Sequence, residues 1–264
     1  FFLHFAPYAV HTPIMANARH LDRYTDRDPK EAAYATMIES YDAALGAILD
    51  RLDHHGIRDN TIVIFTSDNG GLSAHARGGK PHVHNAPLRS GKGSAYEGGT
   101  RVPTVIHWPG LTEPGSRSDA PVVTYDLYPT ILTAAGVTLP AETTLDGHDL
   151  SPILSGRISD DQAERIIGWN QPHQWGASGP GIEPFTSIRQ GTWKLIYFHD
   201  GPRFELYDLE NDLGETTDLA SSDPDRVRAM AEVMTKWIDQ TGAQLSNDLE
   251  TGEPIPTPAA AAAS

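Results

Sequence analysis

The chain has 264 residues, of which 39% are hydrophobic, enough for a real core and inconsistent with a disordered segment. Thirty-five acidic against twenty basic residues give a formal charge of −15, which excludes general affinity for nucleic acid but not a locally positive pocket. There is no cysteine, so disulfides, thiolate metal sites and an encoded thiol nucleophile are excluded within these residues.

Phe1 to Ala6 is a short apolar run ended by Pro7, and it predicts a buried strand already under way. No run approaches the roughly 20 apolar residues that span a bilayer. From about Pro29 to Asp53 the spacing becomes helical: Tyr34, Met37, Ile38, Tyr41, Leu45, Ile48, Leu49 and Leu52 recur at steps of three and four, and Gly56 follows as a stop. Thr61 to Thr66 predicts a strand, and a long polar loop rich in glycine runs on to about Gly99. A loop of that length serves a function or is disordered. Val102 to His107 predicts the next strand. A helix is expected from Asp126, with that side chain as its cap and Gly136 as its end.

Beyond about Gly156 the pattern changes. Ile166 to Trp169, Phe185 to Arg189, Trp193 to Phe198 and Phe204 to Tyr207 predict closely spaced antiparallel strands, and Asp225 to Gln240 a last amphipathic helix. The proline- and alanine-rich end has low complexity. The expected organisation is 1–156 for an α/β unit, 157–245 for a smaller antiparallel sheet with its helix, and 246–264 for the tail.

Four residues stand out for chemistry. Asp68 and Asn69 leave a buried strand as adjacent oxygen donors, suited to Ca²⁺ or Mg²⁺, although the segment by itself favours an ordinary Asp-Asn-Gly turn. Two ligands do not fill the 6–8 sites calcium prefers. Lys92, between glycines, suits a tetrahedral oxyanion, although by itself it reads first as a solvated surface lysine. His11 sits just past the first run, where an imidazole suits general acid work or hydrogen-bond donation at a leaving oxygen. His75, His82 and His84 lack accompanying carboxylate or cysteine ligands, so a solvated or substrate-facing loop is favoured over zinc. Trp169, His173 and Trp175 suit stacking on a sugar, or equally core and loop positions.

Taken together, the motifs resemble the type I sulfatases. The likeness rests on Val10-His11-Thr12-Pro13, Tyr41-Asp42 with Leu45-Gly46, Ser67-Asp68-Asn69-Gly70, the segment Asn85 to Pro103, Trp108-Pro109-Gly110, Asp126 to Thr130, Leu145-Asp146-Gly147 and Glu205 to Leu209, in order over about positions 1–220. The resemblance implies an α/β fold, an alkaline-phosphatase-like doubly wound sheet (in part), with a smaller C-terminal antiparallel sheet and helix. It implies a calcium or magnesium ion on Asp68 and Asn69 plus an Asp pair further forward, with Lys92 and His11 at the sulfate and leaving oxygen. The nucleophile implied is a formylglycine made from a Cys/Ser-x-Pro-x-Arg motif. Ser151-Pro152 and Ser116-Arg117 do not fit that pattern, so it is expected to be absent here and to lie in a missing front half, leaving this fragment inactive alone. The implied substrate is a sulfated carbohydrate or an aryl sulfate, and the implied location periplasmic or extracellular. The competing readings are a phosphodiesterase or phosphonate hydrolase of the same superfamily, and a non-catalytic protein that binds sulfated glycan.

Overall fold

A computed structural model describes residues 1–73, 84–138, 140, 142–157 and 164–263. The first long element is helix α1, Pro29–His54, started by the Asp28 side chain accepting from the Lys30 N–H and by proline in its first turn. Gly56, at φ +64°, turns the chain out of it. Strand β1 is Val63–Phe65, and β2, Val105–His107, pairs with it antiparallel. Between them lies a short helix, α2, Glu97–Thr100. Helices α3, Leu127–Ala134, and α4, Ser151–Leu154, complete this half.

The rest is a four-stranded antiparallel meander in the order β3 (Ile166–Gln171), β4 (Phe185–Gln190), β5 (Trp193–Phe198), β6 (Arg203–Asp208). It is covered by α5, Pro224–Thr241, which Asp223 caps and Gly242, at φ +66°, ends. Strand β5 is buried on both faces, which is why it reads as a continuous apolar run. Leu195 and Tyr197 face Val227, Met230, Met234 and Ile238 of α5. Ile196 and Phe198 face the opposite way, onto Ala95 and Tyr96 from the segment before α2. The alanine-rich end is itself packed: α6, Pro258–Ala263, lies on α5, Ala259 N–H donates to Thr235 Oγ1 at 2.9 Å, and Ile255 is buried in the same core.

Two expectations need correction. Phe1 to Ala6 forms no strand; Phe1 and Phe2 are 87% and 75% exposed. An apolar run becomes a strand only with a ladder to join, and β1 and β2 pair only with each other among the described residues. Asp126 does not cap α3 with its side chain. Its carboxylate is buried and takes a bidentate pair from Arg165, at 2.8 and 3.0 Å, and the N–H groups of Val123 and His148. An arginine fork outcompetes a cap for a buried carboxylate.

Candidate active site

The corner begins where β1 ends. Gly70 N–H donates to the Gly99 carbonyl at 2.9 Å, and a Cβ at Gly70 would strike the Gly98 carbonyl, so only glycine permits this approach. One step on, Lys92 N–H donates to the Gly71 carbonyl at 3.0 Å, and the Asn85 amide donates to both Gly71 and Ser90 carbonyls at 2.9 Å. The Lys92 backbone is thereby fixed beside Gly71, two residues past Asn69. The later half of the expected loop is thus not solvated: Gly91 and Ser94 to Gly99 are buried.

Asp68 is exposed, with Oδ1 accepting a long 3.4 Å bond from Ser67 Oγ. Asn69 spends its amide nitrogen on the Gly70 carbonyl at 3.0 Å, which leaves the amide oxygen as the group available to a cation. Both are hard oxygen donors of the kind calcium or magnesium takes, so they fit such an ion as two of its ligands. Among the described residues no group of three or more His, Cys, Asp or Glu side chains is arranged to hold a metal.

His11 is not joined to this corner by any hydrogen bond among the described residues. Its ring centroid lies 5.3 Å from that of Tyr8, and its Nδ1–H donates to the Thr12 carbonyl at 2.8 Å, which leaves Nε2 as the uncommitted nitrogen among the described residues. Its segment is tied to α1 on both sides, by Asn17 on Thr36 and Ser40 and by the Phe5–Tyr41 ring pair. Tyr41 stacks in turn on Phe65 at the end of β1. His84 is exposed, with Nε2 2.8 Å from Glu31 and its ring beside Tyr34. His75 and His82 lie outside the described residues. Trp169, half-buried, packs against the cluster formed by Tyr96 with Ile196 and Phe198 of β5.

What holds the corner is a buried network that the sequence reading missed. Lys194 of β5, wholly buried, places Nζ 3.0 Å from Glu97 and 2.9 Å from Glu215. Glu97 opens α2 and also receives Arg101 Nε at 2.6 Å, while its N–H donates to Glu215 at 2.6 Å. Burial opposes ionising Glu97, but Lys194 and then Arg101 overcome it and hold its carboxyl down at about 2. Burial dominates at Glu215, whose carboxyl is pushed up despite the same lysine. Beside them Arg89 lies over the Tyr96 ring at 3.9 Å and donates to the Tyr207 hydroxyl and the Glu215 carbonyl, and both tyrosines donate to Glu205. The available signal was a lysine inside an otherwise apolar strand, which demands a carboxylate.

One further correction concerns the nucleophile motif. Ser222-Asp223-Pro224-Asp225-Arg226 does spell Ser-x-Pro-x-Arg, contrary to the expectation that the pattern is absent. In the fold it is the start of α5. Ser222 Oγ donates to the Leu219 carbonyl, Asp223 caps the helix on Arg226 N–H, and Arg226 lies over Trp193. A capping Asp followed by Pro is ordinary helix-start chemistry, which accounts for this match.

Comparison with known proteins settles the ancestry. The family model described as Sulfatase matches residues 1–137, just over half the chain. The chain belongs to the sulfatase family. A second model, N-sulphoglucosamine sulphohydrolase, C-terminal, matches residues 91–244. A protein named Sulfatase from Formosa agariphila is 31% identical over 98% of this chain and 50% of its own length. Human Arylsulfatase A is 29% identical over 88% of this chain and 48% of its own. The crystal structure titled Ps i-CgsB in complex with k-i-k-neocarrahexaose superposes with a TM-score of 0.74 at 28% identity, covering 87% of this chain and 48% of that one. The sulfatase chain described here therefore spans about half the length of these relatives. Its fold is that of the alkaline-phosphatase-like sulfatases, of which the β1–β2 pair and its helices are a part. No helix among the described residues is long and apolar enough to cross a membrane.

Proposed function

We propose that this chain supplies part of the sulfate-binding corner of a sulfuric ester hydrolase acting on sulfated carbohydrate or aryl sulfate esters. The observation that supports the reading is the Lys92 N–H bond to Gly71, which brings the Lys92 backbone against the segment that follows Asp68 and Asn69 at the end of a strand, where open α/β sheets bind their ligands. The Lys92 ammonium offers a compact positive charge to the sulfate oxygens and to the oxygen that leaves. Its glycine neighbours let backbone N–H groups approach the same anion. His11, with Nδ1 committed to Thr12, presents Nε2 to hold the proton that the departing alcohol takes up. Asp68 and the Asn69 amide oxygen would hold a calcium or magnesium ion together with ligands from outside these residues. When bound, that ion supplies Lewis-acid polarisation of the sulfate oxygens.

The formylglycine would also come from outside, because there is no cysteine and Ser222 serves a helix start. The isolated 264 residues are accordingly expected to bind but not to turn over substrate. We place the protein in the periplasm or outside the cell on the family resemblance alone.

The test compares the full-length protein on a sulfate ester and the matched phosphate ester. Faster turnover of the sulfate supports this reading, and faster turnover of the phosphate would move the protein to the phosphoester branch of the superfamily. Turnover of neither would leave a glycan-binding protein. An aryl sulfate assay of the isolated chain checks the second expectation, which real turnover would refute.

A further inference from the structure

The connection between β3 and β4, residues 172–184, leaves the C-terminal sheet and lies along the segment that follows Lys92. Ser94 Oγ donates to the Pro180 carbonyl and Ala95 N–H to the Gly181 carbonyl, both at 3.0 Å. Its ends are anchored as well: Ser246 Oγ donates to the Pro172 carbonyl at 2.6 Å and His199 N–H to the Pro184 carbonyl at 2.9 Å. Near its tip, Trp175 lays the six-membered side of its indole on Gly93, the residue after Lys92. A side chain at Gly93, which sits at φ +84°, would collide with that ring. Trp175 is half-buried rather than sunk into a core, and His173 and Gln174 before it are exposed. Trp169, equally half-buried, packs instead against the cluster around Tyr96.

A tryptophan held this firmly yet left partly open, with polar side chains beside it, suits a ligand with an apolar face and a hydrogen-bonding rim. Inorganic sulfate has no such face, and a sterol has no use for the polar flank. A pyranose has both: axial C–H groups lie on the indole while its hydroxyls meet imidazole and amide groups. We propose that Trp175, flanked by His173 and Gln174, is the platform for a sugar ring of a sulfated saccharide whose sulfate is held at Lys92. The proposal rests on the reading of Lys92 given above and deepens it, because it selects sulfated carbohydrate over simple aryl sulfate. It also gives the C-terminal sheet a direct part in choosing substrate.

The test uses calorimetric titration of the full-length protein with three probes: inorganic sulfate, a sulfated neocarrageenan oligosaccharide and a sulfated glucosamine. Wild type is expected to bind at least one saccharide more tightly than sulfate. Trp175→Ala is expected to weaken that saccharide at least tenfold while changing sulfate less than twofold, and Trp175→Phe to retain most of the affinity. Equal loss for sulfate and saccharide would make Trp175 a mere prop for the Lys92 loop and overturn the proposal. So would an unchanged saccharide affinity, or a wild type that prefers sulfate to both saccharides. Failure of the parent reading looks different: the saccharide-selective loss persists while neither ester is hydrolysed.

Discussion

The two halves of the molecule bury their apolar residues to very different degrees. In the C-terminal half, β5 and α5 enclose a core in which Leu195, Tyr197, Leu206, Ala231 and Met234 are almost wholly inaccessible. In the front half, the α1 stripe is only partly covered: Ile38 is 48% exposed, and Phe1, Phe2 and Leu3 pack on little. The candidate corner belongs to the front half by sequence, yet its second strand of chain, residues 88–101, is packed as part of the C-terminal half. Ala95 and Tyr96 complete a core with Ile196 and Phe198, and Glu97 completes the charge cluster around Lys194. The lysine proposed to hold sulfate is thus carried by the better-packed region, while Asp68, Asn69 and His11 come from the more open one.

Breaking the charge cluster should have the largest effect on stability. Lys194→Met removes the cation shared by two buried carboxylates, leaving Glu97 with Arg101 and Glu215 with no ion pair among the described residues, and is expected to cost about 3–5 kcal/mol in denaturant unfolding of the C-terminal half. A restored midpoint at low pH, where the carboxylates take up protons, would sharpen the assignment. Next, a matched pair of truncations measures the contrast directly. Met234→Ala is expected to cost roughly 2–5 kcal/mol and Ile38→Ala within about 0.5 kcal/mol, since one leaves a cavity and the other a solvated surface. Similar costs would erase the distinction between the halves.

Lys92→Ala should act on chemistry rather than on folding. Its kcat/KM on a sulfate ester is expected to fall roughly a hundredfold, about 2.7 kcal/mol of transition-state stabilisation, with an unchanged melting temperature. The smallest effect is on pH dependence. Burial pushes His199 from 6.5 down to about 4, between Thr186 and Ser246. A histidine that resists protonation in the fold contributes stability that is complete above 6.5 and is lost as pH falls towards 4. Across that window the unfolding free energies of wild type and His199→Gln should diverge by a total on the order of 2 kcal/mol, read by denaturant unfolding at each pH.

The strands and helix of the C-terminal half were legible because each is bounded by local signals. Gly191 and Gly201, both at positive φ, mark the turns between β4, β5 and β6, and Asp223-Pro224 marks the start of α5. The same local chemistry misled at Ser222 to Arg226, where a helix start and a maturation pattern share their residues. Phe1 to Ala6 failed for the opposite reason, because apolar alternation records a need for burial and not the presence of a neighbour to supply it. Asp68, Asn69 and Lys92 are proposed from motif and glycine content, and of their mutual placement the fold gives only the backbone bond of Lys92 to Gly71. Lys194 announced itself by its apolar neighbours, but its partners Glu97 and Glu215 lie far away in the chain and only the fold joins them. The place of Trp175 on Gly93 was likewise invisible, since nothing local fixes where a connection between strands comes to rest.

The corner carrying Lys92 is packed as part of the C-terminal region, and amide hydrogen exchange in the full-length protein measures that packing. The N–H groups of Gly70, Lys92 and Gly98, bonded to Gly99, Gly71 and Arg89, are predicted to exchange as slowly as those of β5 and far more slowly than residues 1–7. Exchange of the three amides as fast as residues 1–7, with β5 still protected, would contradict the account.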